Sequence, residues 1–322
     1  MITIRTWSPT AGLVDGHSTD RIPSLLEAPD TIVWVDLVNP GEEGLAVLRD
    51  VFRFHPLAIE DCIGESHHPK VEAYNGYMFL VSHGVVPDST VENFRTRELD
   101  VFLGPKFIVT HHQGDSRSID ALAQHLQANP AEMGRGPDHL LYRILDQQVD
   151  LWVDVLDVFD DRLEELEERI FHEQGQKILD GIFEVRRSIM RLRRIATHQR
   201  ETLVRLTRGE FPQVGRDAAL YLRDVLDHLV RVTDLAELYR ELIGGILEAY
   251  LSVVSNRLND VMRVLTVFAS VFIPITFLTS LYGMNFQYMP ELQWKWSYPL
   301  LWVVMLSMAG GVLWWFRRKK FI

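Results

Sequence analysis

Cysteine is nearly absent from this chain of 322 residues, which holds only Cys62. One cysteine cannot form an internal disulfide, and neither a zinc-finger ligand set nor a CxxC redox pair can be built from it. Positive charge is also scarce, because 33 Lys and Arg face 44 Asp and Glu, for a net charge of −11. Nucleic-acid binding, which needs a basic surface, is therefore not expected.

Nucleotide-binding and nucleophile motifs are missing as well. Residues 1–140 contain no GxGxxG, GxxxxGK(S/T) or GxSxG pattern. Neither a phosphate-cradling loop nor a nucleophile elbow is therefore supported. The N-terminal sequence MITIRTWSPT lacks the apolar core of a signal peptide, so we expect residues 1–250 to stay in the cytosol.

Charged residues are missing from two long stretches near the C-terminus, 264–290 and 296–316. As a helix the second stretch would be about 31 Å long, which matches the hydrocarbon core of a bilayer. The sequence therefore predicts two transmembrane helices, at about 261–282 and 298–316.

Basic residues flank these spans on one side. Arg257 and Arg263 precede the first span, and residues 317–322 form a basic tail after the second. The positive-inside rule then predicts a multi-pass protein of the cell inner (cytoplasmic) membrane, with both termini in the cytoplasm. The connecting segment, 283–297, becomes an extracytoplasmic loop.

Residues 1–136 are predicted to form a cytoplasmic α/β domain with a mixed sheet. Segments rich in β-branched and aromatic residues alternate with helical patterns at 41–52 and 118–127. The candidate strands are 2–7, 31–37, 77–86, 98–103 and 106–112.

Residues 137–214 are predicted to form a cytoplasmic helical hairpin. An acidic segment, 150–174, is followed by a basic one, 186–208, and opposite charges favour antiparallel pairing. Apolar residues three or four positions apart predict a buried stripe. They are Leu156, Phe159, Leu163, Leu166 and Ile170. Two alternatives stay open: solvated charge runs without a special purpose, and an acidic helix that attracts divalent cations.

Residues 215–282 are predicted to form one long stalk helix that includes the first span. From Arg216 to Tyr282 it would be about 100 Å long. This is longer than one small domain needs, so packing against copies of the chain is expected. Gly244 and Gly245 predict a bend or close packing within it.

An apolar stripe with steps of three and four follows this helix. It comprises Leu222, Leu226, Leu229, Val232, Ala236, Tyr239, Ile243, Ile246, Tyr250 and Val253. Continued into the span, it reaches side chains that are small or weakly polar. In lipid, such a face either packs against other helices or lines a polar path.

The loop after the first span carries the sequence YGMNFQYMPELQWKW at 282–296. Gly283 alone could be a helix-ending glycine in a left-handed conformation. Between two spans and before a basic tail, however, the segment closely resembles the signature of the CorA family of magnesium and cobalt channels, the GMN-motif metal ion transporters. The resemblance covers most of the chain. Further similar segments are 34–40, 55–62, 68–74 and 255–266.

The resemblance implies a funnel-shaped homopentamer in the lipid bilayer, with the first spans around a pore and the cytoplasmic α/β domains below. It implies transport of Mg²⁺ and Co²⁺, with Ni²⁺ as a further candidate. Intracellular Mg²⁺ would gate the pore, so that Mg²⁺ is both cargo and regulatory ligand. ATP, an organic cofactor and covalent chemistry are not expected, and the protein is not expected to be an enzyme.

By the same resemblance, Gly283, Met284 and Asn285 form the selectivity motif. Neutral amide oxygens in a ring of Asn285 side chains would hold the hydrated ion without the tight grip of carboxylates.

The resemblance also implies a pore-lining face on the first span. Its residues are Asn259, Met262, Leu265, Ala269, Ile273, Thr276 and Ser280. Asn259 and Thr276 would form polar rings. Met262 and Leu265 would form a hydrophobic constriction that closes by dewetting.

Regulatory Mg²⁺ sites are implied between neighbouring cytoplasmic domains. By motif position, Asp61 and Asp224 would bind this metal, with Glu60 as a weaker candidate.

Three rival functions remain. The first is a zinc transporter of the same superfamily, although the intact Gly-Met-Asn motif favours magnesium. The second is a membrane-tethered metalloenzyme that uses the histidine pairs 67–68 and 111–112 with Asp100 or Glu98. No HExxH pattern supports it, and adjacent residues project in opposite directions on a strand. The third is a membrane-anchored metal sensor without a pore.

Overall fold

The structure is a computed structural model that describes residues 1–64, 68–173, 175–319 and 321. The chain divides into two compact units, residues 1–247 and 248–322. The first unit combines a β-sheet with helices, and the second unit is helical.

A seven-stranded sheet forms the centre of the first unit. Its strands are β1 (Ile2–Ser8), β2 (Gly12–Asp15), β3 (Ile32–Val38), β4 (Lys70–Tyr74), β5 (Tyr77–Val85), β6 (Thr96–Leu103) and β7 (Phe107–His112). Their order is β2-β1-β3-β7-β6-β5-β4. Only β3 and β7 pair in parallel, and all other neighbours are antiparallel. The predicted mixed sheet is therefore confirmed.

The sequence analysis missed the two edge strands, β2 and β4. Both belong to tight hairpins, and the β4–β5 hairpin turns at Asn75 and Gly76. Gly76 has a φ of +85°, which only glycine adopts without strain. Because Asn-Gly is the strongest short hairpin signal, this strand pair was readable from the sequence.

Four short helices accompany the sheet: α1 (Ile22–Glu27), α2 (Glu42–Ala46), α3 (Pro56–Ile63) and α4 (Arg117–Ala128). A π-helical turn, Val47–Val51, extends α2. The sequence analysis did not predict α3, although Pro56 is at its start and the His55 side chain accepts a hydrogen bond from Leu57 N. This cap fixes the start of the helix that carries Glu60, Asp61 and Cys62.

The predicted hairpin consists of α5 (Pro137–His172) and α6 (Gln176–Thr207). Two contacts with His83 of β5 set its direction. Trp152 Nε1 donates to His83 O at 3.2 Å, and Gln199 Oε1 accepts from His83 N at 3.2 Å. At the far end, Gly181 lies opposite Leu166. The two helices are therefore antiparallel, and all five residues of the predicted stripe are buried.

Opposite charge does not explain this pairing. Between the described residues of α5 and α6 we find no ion pair. Arg169 of α5 instead pairs with Glu165 and Glu173 nearby, and Arg193 of α6 pairs with Glu237 further along the chain. The predicted antiparallel hairpin is therefore confirmed, but it packs through the buried apolar stripe rather than through ion pairs between the two helices.

One continuous helix, α7, runs from Arg216 to Tyr282, as predicted. In the first unit its apolar stripe is buried along the hairpin except at Leu226, which is half-buried, and Tyr239 Oη donates to Leu156 O at 3.2 Å. Burial, followed by repulsion from Asp160 and Asp157, raises the pKa of Tyr239 to about 12.

Gly244 and Gly245 do not mark close packing inside the protomer. A Cβ atom built on either glycine meets no heavy atom within 4 Å. The helix continues through both residues.

The second unit contains the last part of α7 and helix α8 (Ser297–Arg318), joined through a 3₁₀ turn at Pro290–Gln293. Both helices are long and apolar enough to cross a membrane, with mean hydropathies of 2.1 and 1.7 in their best windows. The share of residues in these windows that is buried is 0% for α7 and 11% for α8. A core helix of a soluble protein would be mostly buried, so this exposure fits a lipid environment.

Candidate functional site

The first span has two opposite faces. One face is partly buried and comprises Val267, Val271, Pro274, Leu278 and Tyr282. It packs against α8, since Val267 and Val271 share an apolar groove with Leu313. At 3.6 residues per turn, the predicted pore residues from Met262 to Ser280 centre about 180° away from this face.

The predicted pore face is open in the single chain. Met262, Leu265, Ile273, Thr276 and Ser280 are exposed, as is Asn259, and only Ala269 is partly shielded. Their exposure leaves this face available to neighbouring copies or to a polar path. The pore-lining assignment itself stays a prediction.

The claim that one face continues along the whole helix is wrong. Between Tyr250 and Met262 the stripe passes Val253 and Asn259 in steps of three, six and three, and every three residues turn the face by about −60°. Tyr250 and Met262 are therefore about 120° apart around the helix. Their burial agrees, because Tyr250 is buried and Met262 is 53% exposed.

Gly283 ends α7 without a left-handed conformation. Its φ is not positive, unlike that of seven other glycines. Its N–H donates to Thr279 O at 3.0 Å, and the Met284 N–H donates to Leu281 O at 3.3 Å. The left-handed conformation considered for Gly283 is therefore excluded. Met284 and Asn285 follow with exposed side chains at the start of the loop.

Asp61 on α3 is paired with a lysine. Lys70 Nζ lies 2.6 Å from Asp61 Oδ2 and 3.2 Å from Glu72 Oε1. Burial by itself lowers the pKa of Lys70, but the hydrogen bonds to Asp61 and Glu72 outweigh it and raise the pKa. The lysine therefore stays charged and weakens the attraction between the Asp61 carboxylate and a cation. Glu60, one residue earlier, is exposed.

Asp224 on α7 belongs to an acidic group that the sequence analysis missed. Burial raises the pKa of Asp146 on α5, and the neighbouring charges of Asp150 and Asp224 raise it further. Arg143, 3.5 Å from Asp146, offsets this only in part. Carboxylates that repel one another in this way are suited to binding a cation. The signal in the sequence was the i, i+4 spacing of Asp146 and Asp150.

The two adjacent histidines at the end of β7 face opposite sides of the sheet, as predicted for a strand. His111 Nδ1 lies 2.8 Å from Asp100 Oδ2, whereas His112 Nε2 lies 3.4 Å from Asp36 Oδ1. Of the other pair, His67 lies outside the described residues, and the His68 ring stacks on His198 with centroids 4.8 Å apart.

These features define a membrane protein with two candidate spans and an α/β domain that carries surface acids. A family model described as CorA-like Mg2+ transporter protein matches residues 29–318. YfjQ of Bacillus subtilis is 36% identical over 295 residues, which are 91% of each chain. The cobalt/magnesium transport protein CorA of Thermotoga maritima is 32% identical over 308 residues, covering 94% of this chain and 88% of that protein. The chain belongs to the CorA family of divalent metal transporters.

The fold agrees with this membership. The complete structure of the CorA magnesium transporter from Methanocaldococcus jannaschii matches with a TM-score of 0.85 and 21% identity. The match covers 100% of this chain and 99% of the Methanocaldococcus jannaschii chain. A more distant relative, the zinc transport protein ZntB of Yersinia enterocolitica, is 21% identical over 311 residues, covering 95% of this chain and 93% of that protein.

Proposed function

We propose that this protein is a homopentameric channel that moves Mg²⁺ and also Co²⁺ across the cytoplasmic membrane, with Ni²⁺ as a further candidate. The observation that carries the proposal is the position of the Gly283-Met284-Asn285 segment. It follows directly on a candidate span whose face opposite α8 is exposed and bears the predicted pore residues.

The chemistry of this segment suits magnesium. Mg²⁺ prefers octahedral oxygen coordination and gives up its waters reluctantly. A ring of Asn285 amide oxygens would hold the hydrated ion through its water shell, and neutral ligands bind weakly enough for the ion to leave again. A Cβ atom built on Gly283 would lie 3.2 Å from Thr279 O, so the end of its own helix already favours a residue without a side chain here.

Replacing Asn285 with alanine tests the selectivity assignment. In liposomes that contain only this protein, Asn285→Ala should abolish Mg²⁺ uptake while the oligomer stays intact in gel filtration. Gln287→Ala removes another exposed amide two residues further on and is the matched control. Near-normal uptake by Asn285→Ala, or equal loss in both variants, would contradict the assignment.

Intracellular Mg²⁺ would gate the pore through Asp61 and Asp224, with Glu60 as a weaker ligand. In one protomer these acids do not form a group of three ligands among the described residues. As the family resemblance implies, we place the site between neighbouring subunits, where bound Mg²⁺ offsets carboxylate repulsion and favours the closed state. The ion must bind the closed state more tightly than the open one, because equal affinity shifts nothing.

Liposomes preloaded with increasing Mg²⁺ test this gating. The double variant Asp61→Asn/Asp224→Asn should resist inhibition by internal Mg²⁺ and keep its permeation. Inhibition curves identical to the wild type would exclude these residues as the sensor.

We further propose that both chain termini lie in the cytoplasm. This topology divides the chain into six segments. They are a cytoplasmic domain (1–136), a hairpin (137–214), a stalk and first span (215–282), an outer loop (283–297), a second span (298–316) and a tail (317–322). In a Cys62→Ala background, an impermeant thiol reagent should label Gln287→Cys but not Phe321→Cys in intact cells. Labelling of the tail position alone would show that the termini lie outside the cell and contradict the proposal.

Zinc transport is the second candidate, because the similarity extends to the zinc transport protein ZntB. The intact Gly-Met-Asn motif favours Mg²⁺. Parallel flux assays with Zn²⁺ and Mg²⁺ distinguish the two functions. Absence of flux of any divalent cation would instead support a membrane-anchored sensor.

A further inference from the structure

A buried group of polar side chains lies between helix α3 and strands β6 and β7. Cys62 Sγ, a carboxylate oxygen of Asp100 and an imidazole nitrogen of His111 lie within 4.8 Å of one another. In the part of the chain that the structure describes, this is the only group of three such ligands. Asp100 and His111 face each other in the register of β6 and β7. From the sequence, the histidine pair 111–112 with Asp100 or Glu98 was a rival metal site, set aside because no HExxH pattern is present. Cys62 was not part of it, and only the fold brings this residue to Asp100 and His111.

Asp100 carries an oxygen atom that the chain does not satisfy. Its Oδ2 contacts His111 Nδ1 at 2.8 Å, but its buried Oδ1 has no hydrogen-bond partner among the described residues. The residue is only 2% exposed. A buried acceptor without a partner costs about 1–3 kcal/mol. An atom of this kind indicates a partner that the polypeptide does not supply, such as water or an ion.

The Cys62 thiol lies beside this carboxylate. Its Sγ donates to Ala58 O at 3.2 Å, and it is 4% exposed. Burial first, and then the negative charges of Asp100 and Glu98, raise the pKa of the thiol. A divalent cation would offset these charges and replace the thiol proton, which leaves to solvent.

A cavity of about 220 Å³ adjoins the group. Its wall includes all three residues and also Glu98, which lies two positions from Asp100 along β6 and so on the same face. Arg97 lines the cavity too, but its Nη1 donates to Asp115 O at 2.6 Å. The cavity therefore has room for a fourth ligand, from Glu98 or from water.

We propose that Cys62, Asp100 and His111 form a binding site for a transition-metal ion such as Co²⁺ or Zn²⁺, separate from the Mg²⁺ path. Three atoms within 4.8 Å of one another lie at most about 2.8 Å from a common centre (4.8 Å divided by √3), so a contraction of at most about 0.5–0.8 Å gives the bond lengths of such ions. A thiolate and an imidazole select these ions over Mg²⁺, which prefers oxygen ligands.

Titration of the purified full-length protein with Co²⁺ tests the site directly. Because Cys62 is the only cysteine, a near-ultraviolet thiolate-to-cobalt charge-transfer band can arise only here, and Co²⁺ on oxygen ligands in a pore gives none. We expect the band to saturate at one Co²⁺ per chain, to disappear on addition of Zn²⁺ and to persist in excess Mg²⁺. Absence of the band in the wild type, or its loss to Mg²⁺, would overturn the proposal.

Variants then test each ligand. Cys62→Ser should abolish the band. Asp100→Asn and His111→Gln should each raise the Kd for Co²⁺ at least about tenfold. Mutation of a residue that only hydrogen-bonds a metal ligand already lowers metal affinity by about that factor, so loss of a ligand itself should cost at least as much. His125→Gln is the matched control, since His125 contacts Glu132 elsewhere. An unchanged Kd in both ligand variants would also overturn the proposal. If a variant does not fold, the wild-type titration still decides.

Discussion

The α5–α6 hairpin and the two helices of the second unit differ in where their apolar side chains lie. In the hairpin a narrow apolar stripe is buried and the remaining faces are charged. In the second unit apolar residues occupy nearly every face, and most of them are exposed. A narrow stripe thus predicts burial inside the protomer. Helices that are apolar all round instead need lipid or neighbouring copies to cover them.

The two regions also differ in what their polar residues do. In the first unit, acids are engaged with partners, as Asp61 is with Lys70, or repel one another, as Asp146 and Asp150 do. In the candidate spans, the polar residues Asn259 and Thr276 are exposed on a face that the protomer leaves open. By our proposal, charged side chains therefore regulate in the first unit, whereas neutral polar side chains line the conduction path in the spans.

The largest expected effect separates the two faces of the first span. In a Cys62→Ala background, modification of Thr276→Cys by a water-soluble thiol reagent should reduce Mg²⁺ flux to background, because this position faces the proposed pore. Leu278→Cys, on the side that packs against α8, should keep its flux. Liposome flux before and after labelling measures both, and equal block at the two positions would remove the distinction between the faces.

The second prediction contrasts a buried phenylalanine with an exposed one. Phe159→Ala in the hairpin stripe should lower the free energy of unfolding by about 3–5 kcal/mol. Phe277 is 67% exposed, so Phe277→Ala should leave the stability of the first unit unchanged. Urea unfolding of the full chain in detergent, followed by circular dichroism, measures the difference. Similar destabilisation by both variants would contradict the contrast in burial.

A smaller effect is expected at the ion pair on α3. Lys70→Gln removes the positive charge that pairs with Asp61, so internal Mg²⁺ should inhibit flux at concentrations up to about fivefold lower, since partly exposed ion pairs are worth about 0.2–1 kcal/mol. Lys106→Gln, which loses only a hydrogen bond to Ala28 O, is the control. A shift toward higher Mg²⁺ would show that the lysine assists the site instead.

The smallest effect concerns Asp146. Because its pKa is raised in the folded chain, its ionised form destabilises the fold above that pKa, and this cost disappears as the pH falls through it. Asp146→Asn should therefore stabilise the protein by about 0.2–0.5 kcal/mol at neutral pH, the scale of like-charge i, i+4 pairs. Melting temperatures across pH, with the exposed Asp161→Asn as control, measure this. A gain that persists unchanged in acid would argue against the charge repulsion.

Several features could be read from the sequence because they depend on neighbours along the chain. The helix Arg216–Tyr282, the stripe from Leu156 to Ile170 and the two candidate spans all follow from spacing and hydropathy. The sequence of 282–296 likewise identified the family. The Asn75-Gly76 turn carried an equally local signal that the analysis overlooked.

Other features were decided only by the tertiary structure, because they join residues far apart in sequence. The register of β6 and β7 brings Asp100 opposite His111, and α3 adds Cys62. The packing of α7 along α5 brings Asp224 near Asp146. Opposite charge predicted the antiparallel hairpin correctly but not the contacts that hold it, since its exposed charges pair within one helix or with α7 whereas the apolar stripe is buried. The spacing of apolar residues showed which of them share a helix face, and only the tertiary structure showed what that face packs against.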